Sequence, residues 1–156
     1  ICERYELRDD VLPGAGKYRG GIGVVKSQRI LTDGIITHES ERHSNVPWGI
    51  FGGKEGAAGK CEIYNVASGD PAREMHSKFH GLEVKQDDVM AYYSPCGGGF
   101  DSPLERDPQK VLDDVLDGFC TKEQAYDVYG VVLDLEAETF VMDATRTRRE
   151  QLDAEA

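Results

Sequence analysis

The chain has 156 residues, 39% of them apolar, which lets one core hide roughly 70% of the unfolded surface. Eighteen Lys and Arg against 29 Asp and Glu leave a net charge of −11, which argues against a nucleic-acid binder, since that needs clustered cations. No apolar run approaches the ~20 residues of a membrane-spanning helix, and no basic-then-apolar leader opens the chain. The expectation is an acidic, cytoplasmic, single domain over 1–156.

Residues 1–8 place Ile1, Tyr5 and Leu7 on one parity and Arg4, Glu6 and Arg8 on the other, predicting a half-buried strand. Pro13-Gly14-Ala15-Gly16 breaks it. Residues 22–31 and 35–39 predict a hairpin closed across Thr32-Asp33-Gly34, because Asp-Gly favours tight turns. The stretch 40–60 holds six glycines or prolines and has little periodicity. Strands are expected again over 61–66 and 89–93, followed by Gly97-Gly98-Gly99. The period then becomes helical. Asp107 with Pro108 opens a helix carrying Val111, Leu112, Val115 and Leu116, and Gly118 stops it. Thr121 to Gln124 fits a capping box for a short helix ending at Gly130. Residues 131–135 and 139–142 read as a closing hairpin, and 143–156 as a polar helix or frayed tail. The fold class is α+β: a mainly antiparallel β-sheet with glycine-rich loops and a C-terminal helix pair plus closing hairpin.

Local chemistry is sparse. Gly14-Ala15-Gly16 has Arg19 where a dinucleotide fingerprint needs its third glycine, and no βαβ unit surrounds it. Neither Gly53-Lys54 nor Gly59-Lys60 completes a phosphate loop, so no ATP site is expected and the glycines read as tight turns and close backbone packing. His38 and His43 bracket Glu39 and Glu41. His76 and His80 stand four apart, without the glutamate of a zinc-protease helix, and surface histidines are the simpler reading. Arg146, Arg148 and Arg149 among acidic neighbours read as a solvated helix face. Cys2, Cys61, Cys96 and Cys120 are widely spaced, with no Cys-x-x-Cys pair.

Longer blocks are more specific. The run from Gly14 to Val25 (GAGKYRGGIGVV), Arg42 ahead of Pro47–Lys54 (PWGIFGGK), Gly56–Gly59 (GAAG) and Pro95–Pro103 (PCGGGFDSP) follow one another in order. So do Leu104–Pro108 (LERDP), Val111 to Val115, Asp117-Gly118 and Tyr129–Val132 (YGVV). This series resembles the C-terminal region of hydantoinase B and 5-oxoprolinase-type subunits. The resemblance implies an ATP-dependent assembly that hydrolyses cyclic amides or carboxylates ketones. Its ATP is handled by a kinase-like partner, with larger hydantoinase B-type subunits alongside. A short version is similar to the small subunit of acetophenone carboxylase-type complexes, which form benzoylacetate from acetophenone and bicarbonate and serve aromatic ketone degradation. That implies a non-catalytic structural role in a hetero-oligomer. The C-terminal module of a full-length hydantoinase B or oxoprolinase-type protein, with Arg42 and Lys54 as anion contacts along a substrate channel, is the alternative. Catalytic residues are not identifiable from either.

Three positions depart from the family's glycine run: Cys96, Asp101 and Ser102 replace two glycines and an Asp. With Cys61 also unexpected, the cysteines raise a structural zinc held by Cys2, Cys61, Cys96 and Cys120. Trp48, Ile50 and Phe51, in a glycine-rich loop with no local core, are expected to be exposed.

Overall fold

Buried and half-buried residues alternate along the central strands, with Val25, Ser27, Cys61 and Ile63 turned inward, and this pattern builds one antiparallel sheet. The computed structural model describes residues 1–155. Its strands are β1 (Cys2–Leu7), β2 (Val24–Arg29), β3 (Gly34–Glu39), β4 (Lys60–Asn65), β5 (Arg73–Met75), β6 (Lys78–Val84), β7 (Asp88–Tyr93), β8 (Leu133–Asp134) and β9 (Thr139–Phe140). The helices are α1 (Pro108–Leu116), α2 (Lys122–Asp127) and α3 (Met142–Ala154). A five-stranded sheet runs β1-β2-β7-β4-β5, β3 and β6 form a separate ribbon, and β8 and β9 a short hairpin. Among the described residues every ladder between strands is antiparallel and the helices gather at the C-terminal end, so the fold is α+β.

The helical end follows its local signals. The Asp107 carboxylate accepts the Gln109 N–H at 3.0 Å with Pro108 as first helical residue, and the Thr121 hydroxyl accepts the Gln124 N–H at 3.0 Å. Gly118 (φ +79°) and Gly130 (φ +62°) take the left-handed conformation that ends each helix. Val111, Leu112, Cys120, Ala125, Tyr129, Val131 and Leu133 close a core there, joined by Ala15 from the first glycine-rich segment. Residue 156, the end of the expected tail, lies outside the described residues. Among the described residues, no helix is long and apolar enough to cross a membrane.

The expected hairpin of 22–31 with 35–39 does not form. β2 is paired on both sides, to β1 and β7, so it has no free edge for β3. Instead the Asp33 carboxylate accepts the Gln86 N–H and the Lys85 ammonium, each at 3.0 Å, and β3 crosses to β6. Neither β5 nor β6 was foreseen. His80 lies in β6 and His76 just before it; four residues along a strand span ~13 Å, so the two do not form a helical pair. In β1 the expected half-buried face is absent: Ile1, Tyr5 and Leu7 are exposed, as is Glu6, Arg4 is half-buried, and Arg8, just past the strand, is buried. The reason is its partners. Arg8 grips Asp10 with Nε and Nη2 (2.9 and 2.8 Å), while its Nη1 donates to the carbonyls of Ala58 (2.6 Å) and Ser94 (2.8 Å).

Candidate functional site

Three glycine-rich segments, 14–23, 47–59 and 95–101, lie backbone against backbone beside the sheet. Gly14 N–H donates to Gly97 O, Gly97 N–H to Gly21 O, Gly99 N–H to Lys54 O and Lys54 N–H to Ala15 O, at 2.7 to 2.9 Å. Ile50 N–H donates to Gly99 O, and Tyr18 and Phe100 exchange a pair of bonds. Chains this close leave no room for a Cβ. One at Gly98 would collide with the Trp48 carbonyl, and one at Gly20 with the Gly97 carbonyl. Close backbone packing is therefore what most of these glycines do, and the N–H groups of Gly14, Gly20, Gly53, Gly56, Gly59, Gly97 and Gly99 donate to backbone carbonyls. Of the family departures, Cys96 is fully buried and its sulfur accepts the Gly23 N–H at 3.3 Å, whereas Asp101 holds the left-handed backbone (φ +59°) that suits glycine.

This layer carries an apolar surface. Phe100 packs against Tyr18 (ring centroids 6.1 Å apart) and edge-on against Phe51 (5.4 Å), and the Arg42 guanidinium lies 4.7 Å from the Trp48 ring centre. Trp48 and Phe51 are 65% and 75% exposed, and Ile50 is exposed between them. The expectation for these three residues holds. Arg42 stacks on the Trp48 ring, and Lys54 makes no ion pair among the described residues.

A second feature centres on His38. The β3–β6 register shifts between Ile36 and His38, a bulge that turns His38 towards β7. Its ring lies against Phe79 and Tyr92, with centroids 5.4 and 5.9 Å away. Cavities of about 540 and 250 Å³ meet at His38, Glu39 and Tyr92. The Ser40 hydroxyl donates to Ser77 O (3.0 Å) and lies 3.1 Å from His38 Nε2 and 2.9 Å from His43 Nε2. When its proton lies on the Ser77 carbonyl, Ser40 can accept from both rings, each then carrying its proton on Nε2. From sequence these histidines read as surface groups; the only available signal was two His around one Ser within six residues.

Burial, and then the neighbouring His43, hold His38 below its ordinary value of 6.5. The neutral ring is thus favoured in the folded state. The stability this contributes is present above pH 6.5 and is lost as the pH falls through the lower folded-state value. His38 is accordingly expected to titrate below 6.5 by NMR and to rise towards 6.5 in His43→Gln; a wild-type midpoint at or above 6.5 refutes the arrangement.

The cysteines are dispersed. Cys2 is exposed on the edge strand β1, Cys61 is buried in β4, Cys96 in the glycine layer and Cys120 in the helical core. Among the described residues, no three His, Cys, Asp or Glu side chains are placed to hold a metal ion. Burial pushes the Cys61 thiol up to about 11 and the Cys120 thiol to about 12. Among the described residues the four cysteines are not gathered into one ligand set. The C-terminal arginines also differ from expectation. Only Arg146 is a solvated surface charge. Arg148 stacks on Tyr126, and Arg149 donates to Tyr129 O (3.0 Å) and Arg106 O (2.6 Å).

Residues 1–103 match the family model described as hydantoinase B/oxoprolinase. The B-type D-/L-hydantoinase protein of Pseudomonas sp. (strain NS671) is 41% identical over 131 residues, 83% of this chain and 22% of that protein. The acetophenone carboxylase delta subunit of Aromatoleum aromaticum is 34% identical over 90% of this chain and 25% of its own length. The crystal structure of the ATP-dependent caprolactamase from Pseudomonas jessenii shares the fold, with a TM-score of 0.73 at 24% identity over 95% of this chain and 26% of that one. The chain thus spans about a quarter of the length of the relatives it matches. With two thirds of its length matched by the family model and 41% identity to a hydantoinase B relative, this chain belongs to the hydantoinase B/oxoprolinase family.

Proposed function

We propose that this chain is a small, non-catalytic structural component of an ATP-dependent carboxylase complex of the acetophenone carboxylase type, docked on larger kinase-like and hydantoinase B-type subunits. The observation that carries this is the state of the glycine-rich segments. Many of their amides, those of Gly14, Gly53, Gly56, Gly97 and Gly99 among them, bond to neighbouring backbone carbonyls, which supports a packed slab rather than a phosphate cradle, with ATP work falling to partners. The acetophenone carboxylase relative supports the reaction class. The hydantoinase relative, at higher identity, favours a second reading: the C-terminal module of a hydantoinase B-type protein acting on cyclic amides. Masses of the co-purifying subunits separate the two.

On either reading the chain alone is expected to give no saturable heat with ATP in calorimetry, and its −11 charge adds repulsion of a polyanion. Micromolar affinity without partners overturns the structural role. A zinc on Cys2, Cys61, Cys96 and Cys120 is a separate proposal from the sequence, which finds no assembled ligand set here. Metal analysis of the purified complex, beside Cys96→Ser, is its test.

A further inference from the structure

β3 and β6 pair with each other and with no strand of the five-stranded sheet. A two-stranded ribbon on its own is marginally stable, so this one depends on what it lies against. One end is anchored: Val84 is 2% exposed, and the Asp33 carboxylate ties the turn to Gln86 and Lys85. Further along, the ribbon borders a void. The cavity of about 540 Å³ is lined by Ile36 and Thr37 of β3 together with Gln28 of β2 and Met90 of β7.

The other end is held by His38. The extra residue of the ribbon's bulge lies on β6, where Gly81 takes φ +68°, the left-handed glycine of a bulge that sharpens the local twist. Among the described residues His38 with Tyr92 is the ring contact that joins ribbon to sheet, and Phe79 of β6 backs it. Charged and titratable groups approach this ring from every neighbouring element. His43 shares the Ser40 hydroxyl with it, at 2.9 and 3.1 Å. Lys60 of β4 lines the same 250 Å³ cavity but pairs with Glu62, and Glu41 pairs with Lys78 of β6. Arg29 of β2, on the larger cavity, pairs with Glu3, and Lys26 of β2 lies 5.9 Å from the Tyr92 ring centre. His80 of β6 is exposed, and β7 contributes the uncharged Tyr92 and Tyr93. Glu39, exposed beside His38, makes no ion pair among the described residues.

We propose that the β3–β6 ribbon is a strap closed over the 540 Å³ cavity, that the neutral His38 ring on Tyr92 is its latch, and that protonation of His38 releases it. An imidazolium there would face His43 across one hydroxyl and give up part of its hydration. Lifting the strap relieves the first and restores the second. Burial and His43 hold the ring below 6.5, so the closed strap takes up the proton less readily than the lifted one. Opening therefore grows as the pH falls from 6.5 towards the lower folded-state value. Glu39 and the two ring faces pull the other way, since each attracts a cation. A segment with few buried contacts is where a domain opens locally without unfolding as a whole. The proposal holds whichever complex the chain joins.

Hydrogen exchange of the full chain at about pH 7.5 and about pH 5, corrected for intrinsic rates, tests this, with the His38 ring followed by NMR. The β3 and β6 amides are expected to lose protection at least about threefold at the lower pH, because a lifted two-stranded ribbon frays, while those of β2 and β7 keep theirs. His38→Phe retains a ring for Tyr92 and Phe79 and removes the proton, so its ribbon protection should agree at the two pH values within about twofold. His80→Gln should respond as the wild type does. Ribbon protection that does not change in the wild type, an equal loss across β2 and β7, or a loss already complete above pH 6.5 overturns the proposal. So does a loss that survives in His38→Phe, or a His38 midpoint at or above 6.5. The wild-type exchange and titration are decisive even where His38→Phe fails to fold.

Discussion

Gly98→Ala is expected to cost at least about 3 kcal/mol and to lower the melting temperature by roughly 10 °C, although it adds one methyl group. The new Cβ would sit on the Trp48 carbonyl, with the Gly49 nitrogen at 2.9 Å, so the clash is with backbone that no rotamer change can move. The slab would have to open, breaking the bonds from Gly99 N–H to Lys54 O and from Ile50 N–H to Gly99 O. Gly21→Ala is the control. Nothing lies within 4 Å of its Cβ position, so its stability should change by less than about 1 kcal/mol. Thermal melts of both variants decide the matter, and equal effects would mean that the layer is looser than its hydrogen bonds imply.

Asp114→Ala is expected to destabilise the chain by about 3–5 kcal/mol, the usual cost of leaving a buried cation unpaired. Asp114 is buried in α1. Its Oδ2 accepts Arg106 Nη2 at 2.7 Å and its Oδ1 accepts Arg19 Nε at 3.1 Å. Arg106 Nη1 also donates to Lys17 O, and the Arg106 carbonyl accepts Arg149 Nη2. This network bolts the glycine slab to the helical end. Paired replacement, Asp114→Leu with Arg106→Met, should cost less than Asp114→Ala, because the buried Arg106 cation leaves with its partner and only the more exposed Arg19 is unpaired. Urea melts with unchanged slope test this, and a double variant worse than the single one refutes it.

Where local signals act alone, sequence and structure agree. Asp107-Pro108, Thr121 and Gly118 specify α1 and α2 through groups within a few residues of each other. β4 and β7 were legible because buried central strands read as apolar or alternating runs. Asp33-Gly34 misled because a turn signal says nothing about whether its strand has a free neighbour. β5 and β6 were missed because Arg73–Met75 and Lys78–Val84 are mostly exposed and carry no clean alternation.

Composition and pattern by themselves determined an acidic α+β chain, the capped helical end, the exposed Trp48–Phe51 loop and, through the ordered glycine blocks, the family. The tertiary structure decided what lies far apart along the chain. It set which strand receives β3, why Arg8 rather than Leu7 is buried, the meeting of His38, Ser40 and His43 at a bulge, and the dispersal of the four cysteines. Short-range caps and turns are settled by groups that are already neighbours. Strand partners, buried ion pairs and ligand convergence depend on distances that the linear order leaves open.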